Sequence, residues 1–281
     1  MFSYLIPLTL TLAACFGLQS IALRAVGGRT EKSESNFFSS IGRIQAGAQG
    51  HVDVMVLGSS ITGRLPDRAQ GVPGVANMGC DGGSAVDALR AMDVGILPTA
   101  PCIILEANTL QLALDEKPTE IGRAMKRPWF KVGLKTSGLS AYARPSAFFY
   151  SKLLARRTGG FGSIEPGADL EVSSRPEAVT NNTSVALTAR QDELIGEISA
   201  ILGRLRTKGC RTMIVWLPPA RRDGSAPPPW ILEMAHQSQI PYWDLGQEAA
   251  PGTVTLTDGV HMAAPSAART MVSLMKAISE R

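Results

Sequence analysis

The strongest constraint on the fold is a series of short apolar runs that alternate with helix-like segments. Clear runs lie at residues 52–57, 103–105, 213–217 and 242–245, and a weaker one lies at 75–78. Short runs that are mostly apolar, without strict alternation, are typical of parallel strands whose two faces are both covered. With 281 residues and 44% hydrophobic content, the chain is long enough for one large domain with a filled core.

The segments between these runs show helical periodicity. Apolar residues share one helix face at Leu194, Ile198, Ile201, Leu202 and Leu205, and another at Met271, Leu274, Met275 and Ile278. Strands that alternate with such helices predict an α/β fold, specifically a three-layer α/β/α domain with a mostly parallel sheet. We expect this domain at residues 51–281, after a polar, glycine-containing linker at 24–50.

The N-terminal segment is separate from the expected domain. It is uncharged and largely apolar from Phe2 to Leu23, about the length that a bilayer-spanning helix needs. We interpret residues 1–23 as an uncleaved membrane anchor or as a signal segment. Residues 12–15 also match a bacterial lipobox, which would make Cys15 the lipidated first residue of an exported protein.

The orientation in the membrane has two conflicting indications. Arg24, Arg29 and Lys32 follow the apolar segment, and the positive-inside rule would then place the domain in the cytoplasm. The export-type segment instead favours a membrane-anchored, extracytoplasmic domain, periplasmic or at the cell surface. We adopt the second placement as the expectation.

The remaining cysteines indicate neither a metal site nor a redox motif. Cys80, Cys102 and Cys210 are dispersed, without the paired spacing of such sites. A bridge between Cys102 and Cys210 is conceivable if their strands are neighbours, but buried free thiols are favoured. The sequence predicts no metal and no cofactor.

Polar residues gather where the predicted strands end and before the last helix. They are Gly58, Ser59, Ser60, Asn77, Gly79, Glu106 and Asn108, followed much later by Asp258 and His261. Because parallel strands end at one edge of a sheet, we expect these residues to converge there. A serine hydroxyl becomes a nucleophile when an imidazole takes its proton and a carboxylate orients the imidazole. Ser60, His261 and Asp258 can supply these groups, since His261 alone among the three histidines follows an aspartate by three residues.

Together these residues resemble the SGNH hydrolase family, also called GDSL-type esterases and acyltransferases. The family's first block, Gly-Asp-Ser-Leu, matches its nucleophile to Ser60, and its last block, Asp-x-x-His, is matched by Asp258 and His261. The resemblance implies a flavodoxin-like SGNH fold. It also implies an oxyanion hole formed by the backbone N–H groups of Ser60 and Gly79 and by the side chain of Asn108.

Two positions depart from the family's blocks. Ser59 stands where the family has aspartate, and it is a rival nucleophile; Glu106 stands where the family has glycine. The α/β-hydrolases are disfavoured because the chain has no Gly-x-Ser-x-Gly elbow. A zinc esterase is disfavoured because three dispersed histidines offer few ligands.

The middle of the chain, at about residues 115–190, is expected to be a basic insertion in the domain. Residues 121–164 contain nine Lys or Arg and no Asp or Glu. Aromatic residues are interleaved with these charges, at Trp129, Phe130, Tyr142, Phe148, Phe149 and Tyr150. Such a mixture suits an anionic membrane surface or polymer, although a solvated basic surface is favoured because runs of charge usually face water. Nucleic-acid binding is not expected, since no recognition motif accompanies the charge.

The sequence is compatible with three functions. The first is a serine esterase that acts through an acyl-enzyme on an ester or an acylated carbohydrate. The second is a membrane-tethered O-acyltransferase of cell-surface glycan, in which a sugar hydroxyl replaces water as the acceptor. The third is a catalytically inactive SGNH-like binding module. The expected partners are therefore the ester or acylated-glycan substrate and, through residues 2–23, the membrane.

Overall fold

A computed structural model describes residues 4–25, 33–114, 119–158, 177–178, 186–219, 227–249 and 253–279. The predicted features at Phe2, Arg29 and Lys32, and at residues 159–176 of the basic insertion, lie outside the described residues. The strands are β1 (Val54–Gly58), β2 (Val75–Gly79), β3 (Cys102–Glu106), β4 (Glu177–Ala178), β5 (Arg211–Trp216) and β6 (Pro241–Asp244). The helices are α1 (Leu5–Ala25), α2 (Asn36–Gly47), α3 (Ala85–Asp93), α4 (Glu120–Met125), α5 (Pro128–Lys135), α6 (Pro145–Thr158), α7 (Ala189–Thr207), α8 (Pro229–Ser238), α9 (Leu245–Glu248) and α10 (Ala264–Ser279).

The sheet has five parallel strands in the order β2-β1-β3-β5-β6, and the two-residue β4 pairs antiparallel with β6 at its edge. The five apolar runs of the sequence are these five parallel strands. Strand β1 lies between β2 and β3, and Gly58 at its end pairs with Gly79 at the end of β2. The turn after β1 is therefore flanked by the ends of two neighbouring strands.

The parallel strands are mostly apolar because alternate residues face two separate helical layers. On β1, Met55 and Leu57 pack with residues of α2, α3 and α7, whereas Val54 and Val56 pack on the opposite side. There α10 covers the sheet, with Met271 fully buried. The predicted α/β fold with a mostly parallel sheet is confirmed, and the two covered faces are consistent with three layers.

Helix α7 shows how local sequence sets an element's start. The Thr188 side chain accepts the backbone N–H of Gln191, and the Gln191 side chain accepts the N–H of Thr188, so two otherwise unsatisfied donors are capped. Its predicted apolar face, which includes Leu194 and Ile198, is buried against the sheet.

Residues 36–47 correct the expectation of a linker at 24–50. They form α2, in which Ile41 and Ile44 are fully buried. The polar composition of this segment suggests an exposed linker, but its polar Gln45 is buried as well. The Gln45 side chain donates to the Phe130 carbonyl at 3.0 Å and accepts the Ala141 N–H at 2.8 Å. The second half of the expected linker is therefore part of the domain core.

The described part of the basic insertion is also partly core. Phe130 and Tyr142 are buried, and the Tyr142 ring packs so closely on α2 that a Cβ at Gly42 would lie 2.6 Å from it. Its helices α4 and α5 pack against α2. The insertion therefore has an inner, packed side as well as an outer, charged side.

Helix α1 is apolar and lies largely outside the core. Its segment Leu5–Ala22 is the one candidate for a membrane span among the described residues, by length and composition. Near its C-terminal end the Gln19 side chain donates to the carbonyls of Ala143 and Gly138. An N-terminal segment that fits a membrane anchor or a signal sequence is thus present as a helix in contact with the domain.

The four cysteines are free thiols. Cys102 packs in the cluster beneath α10, whereas Cys210 packs in the cluster on the other face of the sheet. The conceivable bridge between them is therefore wrong, and the favoured prediction of buried free thiols is confirmed for Cys80, Cys102 and Cys210.

Candidate active site

Ser60 lies in the turn that follows β1. The turn begins at Ser59 and continues into a 3₁₀ turn at Thr62–Arg64. The Ser60 hydroxyl does not cap this turn, because the Ser59 hydroxyl accepts the Ile61 N–H instead. The Ser60 Oγ lies 2.8 Å from Nε2 of His261. The structure thus places the predicted nucleophile within proton-transfer distance of the predicted base.

The His261 ring is held on its other side by Asp258. The His261 Nδ1 lies 2.6 Å from Asp258 Oδ2, and Oδ1 of the same carboxylate accepts the backbone N–H groups of Val260 and His261 at 3.1 and 2.8 Å. These bonds to the backbone and ring of His261 hold the pKa of Asp258 well below its usual range. Asp258 therefore stays ionised and can stabilise a protonated imidazole.

The segment that carries His261 is fixed before α10 begins. The Thr257 N–H donates to the His261 carbonyl at 2.9 Å, and Leu256 pairs with Met262 in an isolated antiparallel bridge. Because both sides of this tight loop are bonded, the imidazole is aimed by backbone structure as well as by Asp258.

A buried carboxylate organises the Ser60 turn from the end of β3. Glu106 is fully buried, and its Oε2 accepts the Ser59 N–H at 2.9 Å, the Thr62 N–H at 3.0 Å and the Thr62 hydroxyl at 2.6 Å. Its Oε1 accepts the hydroxyls of Ser59 and Thr109 at 2.7 and 3.0 Å. The Ser59 hydroxyl is therefore buried and committed to Glu106, whereas the imidazole meets Ser60.

Two glycines allow the Ser60 turn to lie tightly against the sheet. A Cβ at Gly58 would lie 2.1 Å from Thr62 Oγ1. A Cβ at Gly79 would lie 2.3 Å from the Gly63 nitrogen and 2.7 Å from the Ser59 carbonyl oxygen. Both positions therefore require glycine for close approach, since any side chain would push the turn off the strands.

Gly79, the expected oxyanion-hole donor, has its backbone N–H bonded within the protein. The Gly79 N–H already donates to Asn77 Oδ1 at 2.8 Å. The Asn77 Nδ2 in turn donates to the carbonyls of Thr62 and Leu65 at 2.7 and 2.6 Å, so the buried Asn77 side chain braces the segment after Ser60. The Gly79 N–H supports the turn rather than an incoming ligand.

The turn after β2 offers a different N–H group. The backbone N–H groups of Cys80, Asp81 and Gly83 have acceptors, whereas that of Gly82 has none among the described residues. Gly82 is exposed and has a φ of 72°, which favours glycine. Because β2 pairs with β1, this turn lies at the same sheet edge as Ser60.

Asn108 follows β3 and is fixed to the end of β5. Its Nδ2 donates to the Leu217 carbonyl and its Oδ1 accepts the Leu217 N–H, both at 2.8 Å. The second Nδ2 hydrogen and the backbone N–H of Ser60 have no acceptor among the described residues. Both remain available to a ligand.

Arg43 was not anticipated from the sequence. It extends from α2, and its Nη1 donates to the Gly79 carbonyl at 2.5 Å and fills the space beside Gly63. Arg43 thereby contacts both the end of β2 and the turn that follows Ser60. No motif marks it, because it precedes β1 in a segment whose composition is that of a linker.

The other two histidines lie elsewhere. His51 is exposed and contacts Asp53 at 3.0 Å, and His236 lies on α8. Within the part of the chain that the structure describes, no cluster of three or more His, Cys, Asp or Glu could hold a metal ion. The site is therefore built from a serine, an imidazole, carboxylates and amide groups. The chain matches no protein-family model and no curated protein.

Proposed function

We propose that this chain is an SGNH-type serine esterase that forms an acyl-enzyme on Ser60 and acts on an ester or an acylated carbohydrate. The observation that carries the proposal is the continuous hydrogen-bonded chain from Ser60 Oγ through the His261 ring to Asp258. Groups in this order activate a serine hydroxyl, because the imidazole takes its proton and the carboxylate fixes the imidazole tautomer.

The reaction proceeds in two halves. The Ser60 Oγ attacks the ester carbonyl while His261 Nε2 accepts its proton, and His261 then passes that proton to the departing alcohol. Water gives a proton to His261 as it attacks the acyl group. The carboxylic acid leaves, and Ser60 regains its proton. The ionised Asp258 stabilises the imidazolium in both halves.

The negative charge on the tetrahedral intermediate needs donors beside Ser60. The Ser60 N–H and the second Nδ2 hydrogen of Asn108 are the two expected donors that remain uncommitted. We assign the third to the N–H of Gly82 in place of that of Gly79. Loss of one such donor typically lowers the rate about 100- to 1000-fold.

An O-acyltransferase of cell-surface glycan is the second candidate. It is favoured by the contact between α1 and the domain, which would keep the site close to a membrane. The triad serves both reactions, so only the acceptor differs. An extracytoplasmic domain belongs to the same proposal, since acylated glycans are found there. The inactive binding module is disfavoured because Ser59 and Glu106 bond to each other and leave the triad intact.

Turnover of p-nitrophenyl acetate by the full chain tests the proposal. We expect nitrophenolate release that is absent in Ser60→Ala, with water as the acceptor. A rate that rises on addition of an oligosaccharide, with acetylated sugar as the product, assigns the transferase instead. Equal rates for wild type and Ser60→Ala, with and without acceptor, would leave only the binding module.

A further inference from the structure

The outer side of the basic insertion exposes large apolar side chains. They are Trp129 (44% exposed), Val132 (46%), Leu139 (51%), Phe149 (66%) and Leu153 (62%), and we call them the apolar face. They lie on α5, on the 3₁₀ turn Ser137–Leu139 and on α6. Clustered exposure of this kind marks an interaction surface on a water-soluble domain.

Helix α5 is apolar on two sides, and only one of them faces the core. Phe130 is fully buried, whereas Trp129 and Val132, three residues apart, lie together on the exposed side. Lys131 and Lys135, four residues apart, are exposed next to them. An exposed helix side that combines an aromatic, an aliphatic residue and cations is typical of helices that lie in a membrane interface.

Four cations of this region have no carboxylate partner among the described residues. Lys126, Arg127, Lys131 and Lys135 are exposed, and none has an ion-pair partner within the described residues. Arg144, by contrast, is paired with Glu34 at 2.5 Å and stacks over the Phe38 ring. Unpaired cations beside exposed aromatics complement the negative surface of an anionic bilayer.

The same region contacts the candidate membrane span. Gln19 on α1 donates to the carbonyls of Gly138 and Ala143, and Phe16 and Ser20 pack against Gly138. The turns at 137–139 and 141–143 in turn contact α5 and α6. The apolar face therefore adjoins the point where the domain meets α1.

The position of this contact along α1 sets the distance to the bilayer. A helix rises about 1.5 Å per residue, so the 21 residues of α1 are about as long as the hydrocarbon core is thick. Gln19 is only six residues from the end of α1 at Ala25, a rise of about 9 Å. The candidate span itself ends at Ala22, so Gln19 lies about 4.5 Å inside it, a depth that interfacial helices reach. If α1 spans the bilayer, the elements that touch Gln19 therefore lie at the boundary between the headgroups and the hydrocarbon.

We propose that the apolar face and its flanking cations dock onto the surface of an anionic phospholipid bilayer, beside the point where α1 enters it. Trp129, Phe149 and their apolar neighbours enter the headgroup region, and the four unpaired cations contact lipid phosphates. This inference does not rest on the proposed enzyme activity. It concerns a different surface, and its test uses no turnover.

Tryptophan fluorescence in vesicles with brominated acyl chains tests the proposal on the full chain. Bromine quenches only at close range, and Trp216, Trp230 and Trp243 are each less than 10% exposed, so quenching reports Trp129. We expect the full chain in brominated anionic vesicles to be dimmer than in unbrominated vesicles of the same headgroups. The Trp129→Phe variant should lose this difference. Equal emission of the wild type in both vesicles would overturn the proposal and indicate a surface for another partner.

Charge variants test the second half of the proposal. Replacing Lys126, Lys131 and Lys135 by Gln should at least halve the quenching in anionic vesicles at low ionic strength. Replacing Lys208, Arg211 and Lys276 by Gln removes the same charge from other exposed positions and should leave the quenching unchanged. If both triple variants behave alike, the flanking cations do not contact the lipid.

Discussion

At the scale of single residues, the site depends on which of two adjacent serines meets the imidazole. Ser60 does, because Ser59 is buried and bonded to Glu106. The three residues could be proposed from the sequence because Asp258 and His261 are three residues apart and Ser60 directly follows a strand-like apolar run. Which backbone N–H groups are free to bind a ligand could not be predicted, because this depends on where side chains lie. The Asn77 side chain, for example, accepts the Gly79 N–H.

The two departures from the SGNH pattern are connected in space. Ser59 occupies the position of the family's aspartate, and Glu106 occupies that of its glycine. The Glu106 carboxylate accepts hydrogen bonds from both the backbone N–H and the hydroxyl of Ser59. We interpret this as a carboxylate that is supplied from the end of β3 instead of from the position after β1, where the SGNH pattern has it. Glu106 is then a positioning residue that holds the Ser60 turn.

This connection predicts a rescue. Glu106→Gly should lower kcat without raising KM, because it removes five acceptor contacts from the turn and leaves buried donors unpaired, each worth about 1–3 kcal/mol. Adding Ser59→Asp restores a carboxylate near the same donors and should recover part of kcat. Steady-state kinetics of the two single variants and the double variant check this. A double variant no more active than Glu106→Gly would show that the departures are independent.

Among the elements, the strands are predicted by their apolar runs, whereas α2 is missed although Phe37, Ile41 and Ile44 have helical spacing after an N-capping Ser35. A run such as residues 103–105 has few alternatives to a buried strand, whereas five of the 12 residues of α2 are Ser, Gly or Gln. Small residues on α2 are buried because they admit close neighbours, as Gly42 admits the Tyr142 ring. That partner is about 100 residues away, so no local pattern shows it.

Two glycine substitutions should change the stability in opposite directions, because the Cβ position is crowded at Gly79 and open at Gly196. Gly79→Ala should destabilise the protein by about 1–3 kcal/mol and lower activity, because its Cβ would collide with backbone atoms of Gly63 and Ser59. Gly196→Ala, in the exposed middle of α7 with no atom within 4 Å of its Cβ, should stabilise it by about 0.5–1 kcal/mol. Denaturant unfolding measures both changes, and a destabilising Gly196→Ala would contradict this account of α7.

The contact between α3 and α4 predicts a pH-dependent stability difference. Burial raises the pKa of Asp87, although the Thr119 hydroxyl donates to it at 2.6 Å. The folded state therefore binds this proton more tightly than the unfolded chain, and stability falls as pH rises from the ordinary Asp pKa, about 3.9, through the raised one. Asp87→Asn avoids the buried charge and should be more stable than wild type at pH 7. Unfolding measured at several pH values should show this advantage shrinking in acid; a constant difference would argue against a raised pKa.

At the scale of the whole molecule, the domain begins earlier than the sequence indicates. Residue 33 is already buried, and α2 lies between the sheet and the inner side of the basic insertion. We expect residues 33–281 to fold cooperatively and residues 51–281 not to fold. Loss of Ile41 and Ile44 alone removes about 3–6 kcal/mol of apolar burial, comparable with the total stability of many domains. Thermal unfolding of the two fragments, followed by circular dichroism, checks this. Equal melting temperatures would show that residues 33–50 are a linker and not part of the domain.

The proposed function requires that Ser60 is a nucleophile activated by His261. The measurement is mass spectrometry of the full chain after reaction with a serine-directed organophosphonate, on the intact protein to count adducts and on fragmented peptides to locate them. We expect one adduct, on Ser60, in the wild type and in Ser59→Ala, no adduct in Ser60→Ala, and labelling slowed about 1000-fold or more in His261→Ala. An adduct on Ser59, or labelling of His261→Ala at the wild-type rate, would contradict the account.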